Sequence, residues 1–352
     1  MKKQESLVGV KEIARRAGVS IGTVDRVLNN RTGVSASTKE KILSIIQELD
    51  YQPNVIARRL ASKKVLRIAS LIPSSSKETG YWEAPLNGIR QATEEIKAFG
   101  VVVDNYFFNQ NDKKTFTKKA REILQTAYDG ILLAPMFEQE AQTFVAQCRE
   151  KQIPYVFINS DLNDSNRISY IGPDLYKSGY LAAHLTKYLL TARSSVLLVN
   201  ISRELDQHHH LLVKEDGFRS YFRHHQLDVS IVKTDIREPD DDSIKEVLKT
   251  LFRRHQFDVV FVSNSRVFTV AKYFEEQGIR DVKLIGYDFL PQNIEYLQKN
   301  IIDFLICQKP QEQGYKGIIS LYQHLVLQTG IEKEQFMPID IITAENYQYY
   351  RN

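Results

Sequence analysis

Apolar positions recur along this chain in two rhythms. Up to about residue 50 they fall at helical spacing: Val10, Ile13, Ala14 and Ala17, then Val24, Val27 and Leu28, then Ile42, Leu43, Ile45, Ile46 and Leu49. Three short helices follow, each with one buried stripe. Gly18 stops the first, Ser20 suits the cap of the second, and Ser35 precedes the third. The tight turn between the first two gives a helix-turn-helix; an unspecific three-helix bundle is the other reading. The second helix turns Ile21, Gly22, Asp25, Arg26 and Asn29 away from its stripe, with Ser20 and Thr23 at its start.

From residue 65 the rhythm becomes one of short, near-continuous apolar runs: VLRIASLIP, VVVDNYFF, YDGILLAP, IPYVFINS, RISYIG, SSVLLVNI, FDVVFVS, VKLIGYD and IDFLICQ. Helical stretches separate them. Strands alternating with helices build parallel sheets covered on both faces. So many units over this length predict two similar subdomains. Ligands in such folds bind outside the carboxyl ends of the strands. The residues there are Tyr81 and Trp82, then Asn159, Ser160 and Asp161, then Ser263, Asn264 and Ser265, then Asp288, then Gln308. Carboxylate, amide and hydroxyl groups beside aromatic rings suit a polyol with one apolar face.

Charge separates the two regions. Residues 1–67 hold 14 Lys and Arg against 6 Asp and Glu, while the rest of the chain is slightly acidic. A basic head on an acidic body points to a polyanion partner for the head. Between them lies YQPNVIARRLASKK, where Asn54 can cap a short helix carrying Arg58 and Arg59 beside Leu60. A helix this short is not stable in water alone, so DNA would order it: phosphates for the arginines, a base step for the leucine. A flexible linker is the alternative.

Composition removes other classes. Cys148 and Cys307 are the only cysteines and are far apart, so no disulfide framework is expected. No apolar run is long enough to span a bilayer, and no apolar stretch follows the opening lysines as in a signal peptide; a cytoplasmic location is expected. No phosphate loop, nucleophile elbow or zinc motif is present, so neither an enzyme nor a cofactor is expected. His208, His209 and His210 are adjacent, which is not the spacing of a helical metal chelate.

VKEIARRAGVSIGTVDRVLNN with VSASTKEKILSIIQELDYQPNVIARRLAS resembles the DNA-binding head of the LacI/GalR family. The resemblance implies that Ile21, Gly22 and Arg26 face bases in the major groove. It places Ala57 and Leu60 in the minor groove and Asn54 and Thr23 on the DNA backbone. Gly9 stands where the family often has a threonine cap, and Asp25 where it usually has serine. Asp25 either accepts from a cytosine amino group or orients a neighbouring basic side chain.

IGPDLYKSGYLAAHL, LIGYDFLPQNIEYLQKN and IDFLICQKPQEQGYKGI are similar to signatures of the type I periplasmic-binding-protein-like body of the same family. The implied architecture is an all-α head (1–52), a hinge helix and linker (53–64), and a two-lobed α/β effector domain with parallel sheets (65–352). Its first lobe is expected at about 65–162 plus 289–322, its second at about 163–288 plus 323–345. The resemblance implies stacking aromatics at Tyr81 and Trp82, and a first-lobe acceptor at Asn159 or Asp161. Asn264, Asp288 and Gln308 match second-lobe and crossover contacts. Leu212 stands near a ligand-binding arginine of the family, for which Lys214 or His209 substitutes. The function implied is a repressor that binds pseudo-palindromic double-stranded operator DNA as a homodimer and responds to a small sugar-type effector. A solute-binding protein or an enzyme acting on a sugar is the alternative. The ending AENYQYYRN has no leucine heptad, so no tetramerising tail is expected.

Overall fold

A computed structural model describes residues 9–28, 30–51, 65–75, 80–162, 166–192, 194–203 and 209–352, the side chain of His209 excepted. The chain divides into two compact units, Met1–Lys64 and Val65–Asn352.

The head unit holds α1 (Val10–Ala17), α2 (Ile21–Leu28) and α3 (Ala36–Glu48). Gly18 makes the turn at φ 71°, a left-handed conformation that glycine adopts at little cost. Ile13, Val24 and Ile42 meet at the centre of a small core, one from each helix. Leu43, expected on the buried side of α3, is 45% exposed. The stripe follows Ile42, Ile45, Ile46 and Leu49, and Leu43 sits about 100° away from Ile42 on the helix wheel.

The second unit is two α/β lobes, each built on a six-stranded sheet. In chain order the strands are β1 (Leu66–Pro73), β2 (Val101–Phe108), β3 (Gly130–Leu133), β4 (Tyr155–Ile158), β5 (Ser169–Gly172), β6 (Ser195–Ile201), β7 (Ser230–Ile236), β8 (Val259–Val262), β9 (Lys283–Tyr287), β10 (Phe304–Cys307), β11 (Glu334–Phe336) and β12 (Asp340–Ile342). The first sheet runs β2-β1-β3-β4-β5-β11 and the second β7-β6-β8-β9-β10-β12. All pairings are parallel except β10 with β12. β3, β4 and β8 are buried at every position, as strands covered on both faces must be.

This topology corrects the expected lobe boundaries. β5 and β11, assigned by sequence to the second lobe, pair into the first sheet; β10, assigned to the first, pairs into the second. Every one of these strands is a short run, and no run carries a mark of which sheet it joins. The chain passes between lobes three times, after β5, after β10 and between β11 and β12. Each passage is two or three residues long: 173–174, 308–309 and 337–339.

The two lobes use the same close helix packing. A Cβ on Gly88 would lie 1.9 Å from the Gln311 carbonyl oxygen, and one on Gly179 would lie 1.9 Å from that of Lys214. Only glycine allows the helix Glu83–Ile96 to meet Pro310–Tyr322, and Leu175–Lys187 to meet His209–His224, this closely. Among the described residues no helix is long and apolar enough to cross a membrane.

Candidate functional site

In the head, α2 buries Val24 and Val27 and leaves Ile21 49% exposed beside exposed Gly22 and Arg26. The Ser20 Oγ accepts from the Thr23 backbone N–H at 3.1 Å and lies 2.9 Å from the Thr23 hydroxyl. That satisfies one of the unpaired donors of the helix start. Gly9 gives α1 no such side-chain cap. A Cβ at Gly22 would meet only Ser20 Oγ, at 3.7 Å, so the surface there is open.

Asp25 lies 3.4 Å from the Arg31 guanidinium, and both side chains remain about half exposed or more. Arg31 is folded back over the helix end, its backbone N–H donating to the Arg26 carbonyl at 2.8 Å. A separation of six is not a side-chain pairing distance within a helix, and for that reason the sequence did not single out Arg31. The pair leaves guanidinium N–H groups free for a further acceptor, since arginine carries five. Asn29, Asn54, Ala57, Arg58 and Leu60 lie outside the described residues.

In the second unit the carboxyl ends of the strands surround a cleft holding about 640 Å³ of empty space, its open mouth included. Tyr81 and Trp82 enter just before the helix Glu83–Ile96, their rings edge to face at 5.2 Å. Asn159 follows β4, and its amide donates to the Tyr81 hydroxyl at 2.5 Å. Asp288 follows β9, the strand of the second sheet that corresponds to β4 in the first. Both residues take left-handed backbone, with φ of 69° and 75°. Each backbone N–H reaches the next strand over: Asn159 donates to Ile171 at 3.3 Å and Asp288 to Ile306 at 3.0 Å. Asn and Asp tolerate this conformation better than most residues.

Buried Asn293, on the helix after β9, fixes the second of these turns. Its amide donates to the carbonyls of Tyr287 and Asp288 at 2.9 Å and of Ser265 at 3.1 Å. Gln308 lies in the second passage between lobes and donates to Ser178 at 2.9 Å; Ser178 in turn is 2.8 Å from the Tyr287 hydroxyl. Asn264 is tied to the end of β6, donating to the Ile201 carbonyl at 2.6 Å.

The cleft is electrostatically tense. Lys214 is 5% exposed; its ammonium donates to the Ser263 carbonyl at 3.3 Å and stands 3.7 Å from the centre of the Tyr287 ring. Burial pulls it down to about 8, opposed by the field of Asp288. Asp288 is 7% exposed, and its Oδ1 is buried without a hydrogen-bond partner. Burial pushes its carboxyl up to about 6, opposed by Lys214. At neutral pH both groups are charged, each held out of water.

Of the residues selected from sequence, Tyr81, Trp82, Asn159, Lys214, Asn264, Ser265, Asp288 and Gln308 line this cleft, and Ser160 and Ser263 do not. Nor does Asp161; its carboxylate pairs with Arg167 at 2.7 Å, a partner 6 residues away that no motif announced. Leu212 is exposed and plays no part in the wall, while His210 lines it. The wall also includes Gln110 and Asn111 after β2, Ser202 after β6, and Arg266 after β8. Applying the strand-end rule to every strand would have found these four. Met136, three residues after β3, falls under the same rule.

Comparison with known proteins agrees with this architecture. Residues 68–329 match the periplasmic binding protein domain, and residues 9–54 match bacterial regulatory proteins of the lacI family. The "Probable HTH-type transcriptional repressor ExuR" of Bacillus subtilis is 31% identical over 170 residues, 48% of each chain. Catabolite control protein A of Priestia megaterium is 26% identical over 288 residues, 80% of this chain and 82% of its own. The alignments with ExuR and with the regulator RegA of Clostridium acetobutylicum span about half of those proteins' length. A crystal structure from Bacteroides fragilis, described as a LacI transcriptional regulator, superposes with a TM-score of 0.76 at 27% identity, over 82% of this chain and all of that one. The chain therefore belongs to the periplasmic binding protein domain family and carries that domain behind a DNA-binding head of the lacI family.

Proposed function

We propose that this protein is a transcriptional repressor whose operator affinity is set by a small sugar-type molecule held between the two lobes. One observation carries the reading: a single chain joins a basic head, whose helix-turn-helix exposes Ile21, Gly22 and Arg26 on its second helix, to a cleft with aromatic, amide and carboxylate groups at matching strand ends of both lobes. Ile21, Gly22 and Arg26 meet bases, Ser20 and Thr23 the DNA backbone, and Asp25 acts through Arg31. In the cleft Trp82 and Tyr81 stack on the ligand, and Asn159, Asn264, Asp288 and Gln308 take its hydroxyls.

The protein acts as a homodimer on a pseudo-palindromic site, in the cytoplasm, without a metal or cofactor and without catalysing a reaction. Two heads on one rigid pair match two half-sites by symmetry. Effector binding changes the angle between lobes, and the coupling to DNA is typically about 1–3 kcal/mol.

The test is fluorescence anisotropy on operator DNA obtained by selection, titrated with and without a library of monosaccharides and their acids and phosphates. The expected result is nanomolar binding to a two-fold site, shifted roughly 5- to 150-fold by one library member. Failure to select any two-fold sequence refutes the DNA half of the reading. Indifference of DNA binding to every ligand that binds the cleft refutes the switch.

A further inference from the structure

Lys214 is the feature of the cleft that a neutral polyol does not explain. Its backbone is drawn in by the close approach of Gly179, and the residue is 5% exposed where it lines the cleft. A lysine ammonium has three N–H donors. Here one goes to the Ser263 carbonyl and a ring face covers another side. Both neighbours offer partial negative charge only, and Lys214 forms no ion pair among the described residues. Asp288 acts on it through its field but stands outside ion-pair distance. Buried charges in proteins are nearly always paired. Arg266, 5% exposed and donating to the Pro239 carbonyl at 3.2 Å, also lines the wall, where Asp288 is the one carboxylate among the described residues.

We infer that the effector is a sugar derivative carrying a negative charge, and that Lys214 is the residue that receives this charge. The inference rests on the sugar-type reading above and names its chemical class. The ligand brings hydroxyls to the unpartnered Asp288 Oδ1 and an anionic group to Lys214, so that both uncompensated groups are satisfied at once. The anion is a carboxylate or a phosphate ester; a point charge such as an ammonium accepts either. Lys214 also discriminates. A neutral ligand of the same shape leaves its ammonium buried and unpaired, which is the condition under which sites reject analogues most strongly.

The experiment is calorimetric titration of the full-length protein with matched sets: glucose, galactose and arabinose; their uronic and aldonic acids; and their terminal phosphates. At least one anionic member is expected to bind about tenfold or more tightly than its neutral counterpart. Lys214→Met is expected to erase that difference and Lys214→Arg to keep most of it, with melting curves of the unliganded variants showing that each is folded. Acids outranking phosphates, or the reverse, identifies the source of the anion, and either supports the inference. A neutral sugar binding as tightly as its charged counterparts overturns it while leaving a sugar effector in place. Absence of binding by every set overturns both this inference and the sugar reading beneath it.

Discussion

Replacing Asp288 by asparagine should stabilise the unliganded effector unit. Asparagine has the same shape and accepts the left-handed backbone that residue 288 adopts. The wild-type carboxyl titrates near 6 in the folded protein against an ordinary value of 3.8. Below pH 4 the group is protonated in both folded and unfolded chains and contributes nothing. As pH rises from about 4 to 6 the unfolded chain gives up the proton and the folded chain holds it, so stability falls; above 6 the loss is constant. At about 1.4 kcal/mol per unit, the loss at neutral pH is at most about 3 kcal/mol. Asparagine does not titrate and avoids it, but it also withdraws the field that partly compensates Lys214. A net gain of about 1–3 kcal/mol at pH 7.5, shrinking towards zero at pH 4, is expected. Urea unfolding followed by emission reads it cleanly, because Trp82 is the only tryptophan and reports this unit alone. An asparagine variant less stable than the parent at pH 7.5, or an offset that does not change with pH, would show that the carboxylate is well solvated.

Other outcomes follow from the same geometry. Operator affinity should fall about 10³- to 10⁵-fold between 50 and 200 mM salt if the head makes some 6–10 phosphate contacts; a flat response refutes DNA binding by the head. Asp25→Ser and Arg31→Ala should weaken binding on all half-sites alike, because the two side chains act as one unit; a changed base preference in a randomised selection would show direct reading by Asp25 instead. A true effector should shift Trp82 emission saturably, and an unchanged spectrum at full occupancy would remove Trp82 from the ligand's surface. Gly179→Ala should lower the melting temperature of the effector unit, since its Cβ would sit 1.9 Å from the Lys214 carbonyl oxygen; an unchanged melting curve would mean the two helices separate freely.

Much of this architecture is legible before any coordinates. The nine apolar runs named from sequence all contain strands: eight are largely buried and leave a near-continuous apolar trace, while the edge strand β2 is legible from its valines and aromatic residues although its burial alternates. Three strands escaped. β7 lies at a sheet edge and alternates exposed with half-buried positions in SIVKTDI, a weak signal among charged residues. β11 and β12 are three residues each and owe their state to their neighbours. Asn264, Asp288 and Gln308 were legible because strand ends converge on one crevice by topology. Asn293 was not, since nothing in PQNIEYLQ shows that one amide serves three carbonyls and so aims Asp288.

The three short passages between the lobes act as three pins along one seam. β11 lies beside β5 and β12 beside β10, so the passages run next to one another, and the Met337 N–H is bonded to the Gly172 carbonyl at 2.8 Å. Three neighbouring pins of two or three residues resist twisting and sliding and leave one soft coordinate, an opening angle. Gln308, whose side chain touches the cleft, is itself one of the pins. A ligand bound there does not send a message to a remote hinge; it grips the axle. One distance between probes on opposite lobes is then enough to describe the whole transition, and its distribution should have two peaks whose weights, and not positions, change with ligand.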